Sequence, residues 1–559
     1  MGVAEPQRPR FGVALALLCT IALLLRAWSP ASLGVDHFDE GVYAFSASAV
    51  ADPAAETGLY PEQEKFSPPL YFAIGGLVAR IAGASVDLAL VGLNALLGAA
   101  TVALLAWVGR RWFGAAAGLA AATLLAFSEY HIALSRSALT DGAFALAHLG
   151  AVYVLVEAVR GGRWRDAFAA GVCVGLAWNT KYHGWLALVS VAAGCFPLIV
   201  SRARAGADWR RPMLVGLVAG GVAALLYAPW AAFIEAQPGG YAELAQYQST
   251  MLRGAWIENL GRHVSQQAFF EGPFSAASLP LALAAAASAT AQRARTLVSL
   301  VALALLGGFA LTLGASSGAF VLAGLALLPL WRRARALELP ALALLAWLAL
   351  WSALTPLYQP YARLLLPLSI AAMLAAGVAL QAFVERLSRD SGAGARGAPL
   401  AALASVVAAL TFVVAHVRDD PSDPWRASRG MQSLASELAS ALPHGARVFV
   451  LGEPPLAWYL TREGVDAAGV VKGPDCLARL ERDARETFVV CGIYPRRTGA
   501  ESRLVEGAGV RLERVAEFAL EVKDLRLLDD FAPYAAARFR REPGDDYRVR
   551  LYRYRPAAR

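Results

Sequence analysis

DLALVGLNALLGAATVALLAWVGRRWF, Asp87 to Phe113, runs apolar and uncharged from Leu88 to Val108 and then closes on the arginine pair 110 and 111. The hydrocarbon core of a bilayer needs ~20 apolar residues in a helix, so this stretch reads as a membrane span. Working outward, the same pattern of apolar run and arginine cluster recurs along the chain. Runs near 11–28, 87–108, 114–133, 140–159, 166–180, 184–200, 212–234, 274–291, 296–313, 317–331, 339–355, 362–384 and 398–417 give about 13 spans. The composition agrees, with 57% hydrophobic against 17% charged residues, which excludes an ordinary soluble protein. The run at 11–28 follows basic residues as a signal peptide does, but no small-residue cleavage site stands near Trp28, so it reads as a retained span.

The net charge of +8 is a statement about orientation. Basic residues collect in cytoplasmic loops. Arg8 and Arg10, Arg110 and Arg111, Arg160 to Arg165, Arg202 to Arg211, Arg293 and Arg295, Arg332 to Arg335, and Arg386 to Arg396 all fall on one side if residues 69–84 form a membrane-surface helix and not a span. The N-terminus is then inside, the loops 29–87 and 235–274 lie outside, and no nucleic-acid partner is implied. The expected fold is an all-α polytopic membrane domain over 1–417, followed by a small extracytoplasmic α/β domain over 418–559. In that domain Gln432 to Leu442 reads as an amphipathic helix. RVFVLG (Arg447 to Gly452) and TFVVCG (Thr487 to Gly492) read as buried strands, and Asp546 to Tyr554 alternates as an edge strand does. Cys476 and Cys491 share the domain and can pair in an oxidising compartment, while Cys19, Cys173 and Cys195 read as small apolar residues in spans.

The outer loops carry the chemistry. In HFDEGVYAFSA, His37 to Ala47, the carboxylates of Asp39 and Glu40, with Asp36 before them, open a surface helix. Such a pair serves catalysis or merely caps a helix. Of 51 basic residues only Lys65, Lys181, Lys472 and Lys523 are lysines, and the two in the membrane region both fall outside. A compact ammonium approaches a phosphate as a point charge; anchoring at the interface is the alternative. Arg136, Asp141, Tyr182, His183, Arg262, His263, Tyr358, Tyr361 and Arg363 also stand at outer span ends, and an ionisable residue at membrane depth marks a functional site by default. Arg136 and Asp141 can equally form a local salt bridge, and His148, in mid-span, reads as a satisfied core histidine. Cations around a departing phosphate, with a carboxylate to take a proton, suit transfer of a group from a lipid phosphate. Outside the cytoplasm the activated group must arrive on a membrane lipid.

Asp39-Glu40 with Tyr43, Glu64-Lys65 before Pro68-Pro69-Leu70-Tyr71, Ser135-Arg136 to Asp141, and Lys181 after a glycine-containing span resemble glycosyltransferase family 39. That family includes the protein O-mannosyltransferases and the bacterial lipid A aminoarabinose transferases. The resemblance covers ~11–234 by ordered motifs and extends to 417 by topology. It implies an inverting enzyme of the bacterial inner membrane that takes a polyprenyl-phosphate sugar as donor and an extracytoplasmic lipid, glycan or protein hydroxyl as acceptor. Asp39, with Glu40 and Asp141, would be the catalytic carboxylates. Lys65 and Lys181, with Arg363, and more weakly Tyr43, Arg136, Tyr361 and Arg262, would hold the substrate. Glu64 and His263 match a divalent-metal pair; no other cofactor is implied. A lipid-linked sugar flippase or transporter, and a sensor built on the outer domain, are the competing classes. Against a transporter, no resemblance between two halves is found.

Overall fold

The computed structural model describes residues 8–28, 33–53, 67–252, 254–270, 273–288, 315–390, 430–470, 473–482, 487–520 and 548–555. The runs expected at 296–313 and 398–417, and the residues Glu64 and Lys65, lie outside these.

The helices at the apolar runs are α1 (Arg8–Arg26), α4 (Val86–Trp112), α5 (Ala115–Ala126), α6 (Glu129–Ser135), α7 (Thr140–Gly161), α8 (Trp164–Thr180), α9 (Leu186–Arg204), α10 (Arg210–Ala236), α13 (Pro273–Ser288), α14 (Ala315–Arg335), α15 (Leu339–Leu354) and α16 (Leu366–Asp390). Between them stand α2 (Phe38–Ala51), α3 (Leu70–Ala82), α11 (Gly240–Ser249) and α12 (Trp256–Phe269). Six segments, among them Val86–Trp112 and Thr140–Gly161, are each long and apolar enough to cross a membrane. The described residues form two compact units. One comprises 1–28, 95–135 and 140–423; the other comprises 29–94, 136–139 and 424–559.

The run 114–133, expected as one span, is broken: α5 and α6 meet at 64°. A break between helices frees carbonyls that need other partners. Arg26 supplies them with partners. Its guanidinium donates to Ala126 O (3.2 Å) and Leu125 O (3.0 Å) at the end of α5 and lies 2.6 Å from His131 Nδ1 on α6. Glycine lets α4 and α5 approach closely, because a Cβ on Gly118 would stand 2.3 Å from Ala106 O.

In the second unit the C-terminal residues build an α/β sheet. Its strands are β1 (Arg447–Leu451), β2 (Asp466–Val470), β3 (Thr487–Cys491), β4 (Leu512–Ala519) and β5 (Arg548–Tyr554). The helices beside them are α17 (Gly430–Ala441), α18 (Pro454–Arg462), α19 (Gly473–Arg482), α20 (Ile493–Arg497) and α21 (Ala500–Ala508). The strand order is β2-β1-β3-β5-β4, parallel among the first three and antiparallel thereafter. The alternating segment at 546–554 is therefore an interior strand, not an edge. Both of its faces carry buried residues, Val549 and Leu551 on one and Tyr552 and Tyr554 on the other, while β4 takes the edge. Cys476 and Cys491 are unbonded thiols in one core cluster with Phe449, Leu480 and Leu504.

Helix α2 is also not a surface helix. Asp39, Glu40 and the stretch Gly41 to Phe45 are all buried, because α3 packs on it from one side and α18 from another.

Candidate functional site

In the first unit three elements bring charges together. Asp141 opens α7 and is 2% exposed; Lys181 caps the end of α8; Arg363 lies in a 3-10 turn, Ala362–Leu365, just before α16. Lys181 Nζ donates to Asp141 Oδ1, and Arg363 stands 3.9 Å from Oδ2. Among the described residues the cluster sets two cations about one carboxylate, and each cation is largely withdrawn from solvent. Cations converging at one point in this way can hold a phosphate.

The surroundings fix these groups. Phe144, one turn along α7 from Asp141, has Lys181 Nζ 6.0 Å from its ring centroid and His183 edge-on at 4.7 Å. Burial first, then the charges of Lys181 and His148, holds His183 well below the usual histidine range, so it stays neutral beside the lysine. His148 lies deeper, among Phe144, Trp347 and Trp351, as expected of a core histidine. It is not satisfied, however: neither ring nitrogen has a hydrogen-bond partner among the described residues.

Arg363 and Tyr361 are held by residues that the sequence did not single out. The Tyr130 hydroxyl donates to Ala362 O at 2.5 Å. From α12, Asn259 donates to Pro356 O (2.9 Å) and Gln266 to Pro360 O (3.2 Å), and Gln359 N donates to Met251 O (2.7 Å). The guanidinium of Arg363 lies 5.7 Å from the Tyr361 ring centroid, and the Tyr361 hydroxyl reaches Met251 Sδ at 3.8 Å. Buried amides on a helix that is otherwise amphipathic were the available signal. Arg262 pairs with Glu258 one turn back on α12.

His263 is buried on the same helix. Its proposed metal partner, Glu64, is outside the described residues. No group of three or more His, Cys, Asp or Glu side chains that could hold a metal ion occurs among the described residues.

In the second unit the acidic pair divides its work. Glu40 accepts from the backbone N–H of Asp36 (2.6 Å), His37 (2.8 Å) and Ala138 (2.7 Å). His37 Nδ1 accepts from Asp39 N at 3.1 Å, completing a capping box. Glu40, expected among the catalytic carboxylates, has both its oxygens engaged by these three backbone donors. It ties the start of α2 to the segment that follows Arg136. Asn94 holds the same segment through Ser137 O and Leu139 O, both at 2.6 Å. Arg136 itself is buried. Tyr43 packs edge-on against Tyr71 at 6.3 Å, and Asp39 is 5% exposed at the helix start.

Residues 67–233 match the family model of dolichyl-phosphate-mannose-protein mannosyltransferase. Among solved structures, ArnT from Cupriavidus metallidurans bound to undecaprenyl phosphate is similar at a TM-score of 0.54 and 15% identity, over 96% of this chain and 97% of that one. The archaeal oligosaccharyltransferase AglB from Archaeoglobus fulgidus, in complex with an inhibitory peptide and a dolichol-phosphate, is similar at 0.56 and 14% identity, over 92% and 74%. At these identities the likeness is one of fold. No curated protein matches the chain.

Proposed function

We propose that this family-39-like glycosyltransferase moves a sugar from a polyprenyl phosphate to an acceptor on the outer side of a bacterial inner membrane, in a single inverting displacement. The observation that carries this reading is the buried cluster in which Lys181 and Arg363 converge on Asp141, a pairing of ammonium and guanidinium that suits a lipid phosphate. In the reaction an acceptor oxygen bonds to the anomeric carbon, the bond from that carbon to the phosphate oxygen breaks, and the polyprenyl phosphate departs with the electron pair. Lys181 and Arg363, with Lys65, neutralise the charge that grows on it. Asp141 holds Lys181 in place. Asp39 takes the acceptor's proton, a role it receives from the family-39 motif.

The topology belongs to the same reading: about 13 spans over 1–417, the N-terminus inside and 418–559 outside. It is supported by the make-up of the second unit. Its segments 29–94, 136–139 and 424–559 are, apart from the first turns of α4, ones that the arginine distribution places outside.

The test is to incubate the purified protein with a panel of radiolabelled polyprenyl-phosphate sugars and ask which is consumed. With the consumed donor, Asp39→Asn should slow transfer by about 10²- to 10⁴-fold. Lys181→Met should weaken binding of undecaprenyl phosphate by about tenfold, the loss of one charge-assisted contact. Full transfer by Asp39→Asn, or unchanged phosphate binding by Lys181→Met, would remove the corresponding role.

A further inference from the structure

In open parallel sheets, ligands bind outside the carboxyl ends of the strands where the chain's crossovers diverge. In this sheet that point lies between β1 and β3. The chain leaves β1 toward β2 through α18, and after β2 it crosses back to β3. The residues there are Gly452, Glu453 and the Pro454-Pro455 start of α18 on one side, and Gly492, Ile493 and Tyr494 on the other. Glu453 fills the crevice from within. It is fully buried, its Oε1 accepts from Ile493 N (2.9 Å), and its Cγ would stand 1.9 Å from a Cβ on Gly492.

The outer-loop helix α2 covers what is left. Phe38 meets the Tyr494 ring at 5.6 Å. Gly41 lies against the proline pair so closely that a Cβ there would be 2.3 Å from Pro455 N and 2.5 Å from Pro454 C. Both are backbone atoms that cannot rotate aside, so only glycine fits. Three side chains of α18 then bond to the chain on either side of α2's acidic start. Tyr459 OH accepts from Val35 N (3.0 Å) and donates to Asp87 Oδ2 (3.4 Å), Arg462 donates to Asp87 Oδ1 (3.3 Å), and Trp458 Nε1 donates to Ser48 Oγ (3.0 Å). Burial, and then the Asp87 carboxylate, pushes the Tyr459 phenol up, so it remains a hydrogen-bond donor at any working pH.

We infer that the C-terminal α/β domain is a positioning element for the transfer reaction: its sheet's switch point takes α2 as its ligand, and Gly41 and Tyr459 fix where the Asp39 carboxylate stands. This rests on the role proposed for Asp39. It makes the domain neither a sensor nor an independent binding module.

The experiment uses the full-length protein in detergent or nanodiscs, with Gly41→Ala and, as the milder change, Tyr459→Phe. Two quantities are read: amide hydrogen exchange of peptides covering residues 35–45, and kcat and KM for the consumed polyprenyl-phosphate sugar. In Tyr459→Phe, exchange in 35–45 should rise by about tenfold while β1 and β3 stay protected, the signature of local rather than global opening. kcat should fall by about fivefold or more with donor KM unchanged, as expected when the reacting carboxylate is misplaced and donor binding is not. Gly41→Ala should do the same more severely. Unchanged exchange in both variants overturns the docking, and raised exchange with unchanged kcat overturns the positioning role. Should the wild-type chain consume no polyprenyl-phosphate sugar, the proposed function falls, and the exchange measurement alone decides whether α18 fixes α2.

Discussion

Arg26 illustrates how a buried charge earns its position. It is fully buried, and it spends its donors on the carbonyls of Ala22, Leu125 and Ala126 where the span 115–135 breaks. Replacing it with methionine keeps the length of the stem and strands those carbonyls in the protein interior, where an unsatisfied polar group is costly. Arg26→Met should therefore lower the thermal midpoint of the purified protein by several degrees, while Arg111→Met, an exposed partner of Glu157, should leave it nearly unchanged. Equal midpoints for the two variants would remove the stitching role. Legibility at this scale followed scarcity. Lys181 stood out because lysine is rare in this chain; it pairs with Asp141, which Arg363 also approaches. Arg26 did not stand out, although a lone arginine at the end of a span, away from the basic clusters, was a readable anomaly. Glu40 could not be resolved from Asp39 by sequence, because the capping and catalytic readings want the same two residues at the same spacing. In the structure Glu40 takes three backbone donors, while His37 Nδ1 accepts from Asp39 N.

At the scale of elements, the hydrophobic runs within the described residues coincide with helices, apart from the break within 114–133, and RVFVL and TFVVC became β1 and β3 as their unbroken apolar patterns implied. The position of β5 within the sheet was not readable, because alternation reports one wet face and says nothing of what lies alongside the strand. Its neighbour β4 takes the edge and protects it with charge. Glu517 accepts from Arg550 Nε (2.9 Å) and Arg514 (2.9 Å), with Arg548 at 3.6 Å. Partial burial opposes ionisation of Glu517, but the hydrogen bond from Arg550 and the three guanidinium charges outweigh it and hold the carboxyl below its usual value. The sign follows from that direction. The unfolded chain takes up the proton near the ordinary glutamate value of about 4.3, whereas the folded chain resists until lower pH. The stabilisation is thus complete above that value and disappears as pH falls through the folded one. In urea titrations followed through the C-terminal sheet, Glu517→Gln should unfold at lower urea than the wild type at pH 7, and the two curves should converge as pH approaches 3. A difference that grows on acidification would reverse the assignment.

For the molecule as a whole, the arginine count and the fold address the same question from independent directions. The count uses only where basic residues fall between apolar runs; the fold uses only which segments pack together. The fold groups residues 29–94, 136–139 and 424–559 in one unit, and in the other the segment around Met251 and Leu252 bonds to Tyr358 and Gln359; the arginine count expects these loop segments on one side. If the arginine-rich loops are cytoplasmic, single cysteines placed at exposed positions should divide by side. Ala207→Cys, between α9 and α10, should react with a membrane-impermeant maleimide only after permeabilisation. Ser249→Cys on α11 and Ser433→Cys on α17 should react in cells whose inner membrane is intact. The native thiols leave this readable, since Cys195, Cys476 and Cys491 are buried and Cys19 and Cys173 lie within apolar helices. Labelling of Ala207→Cys in sealed cells would invert the chain, place Lys181 and Arg363 on the cytoplasmic side, and open the reaction to soluble nucleotide sugars. The same labelling experiment therefore decides the topology and the side from which the donor must reach Lys181 and Arg363.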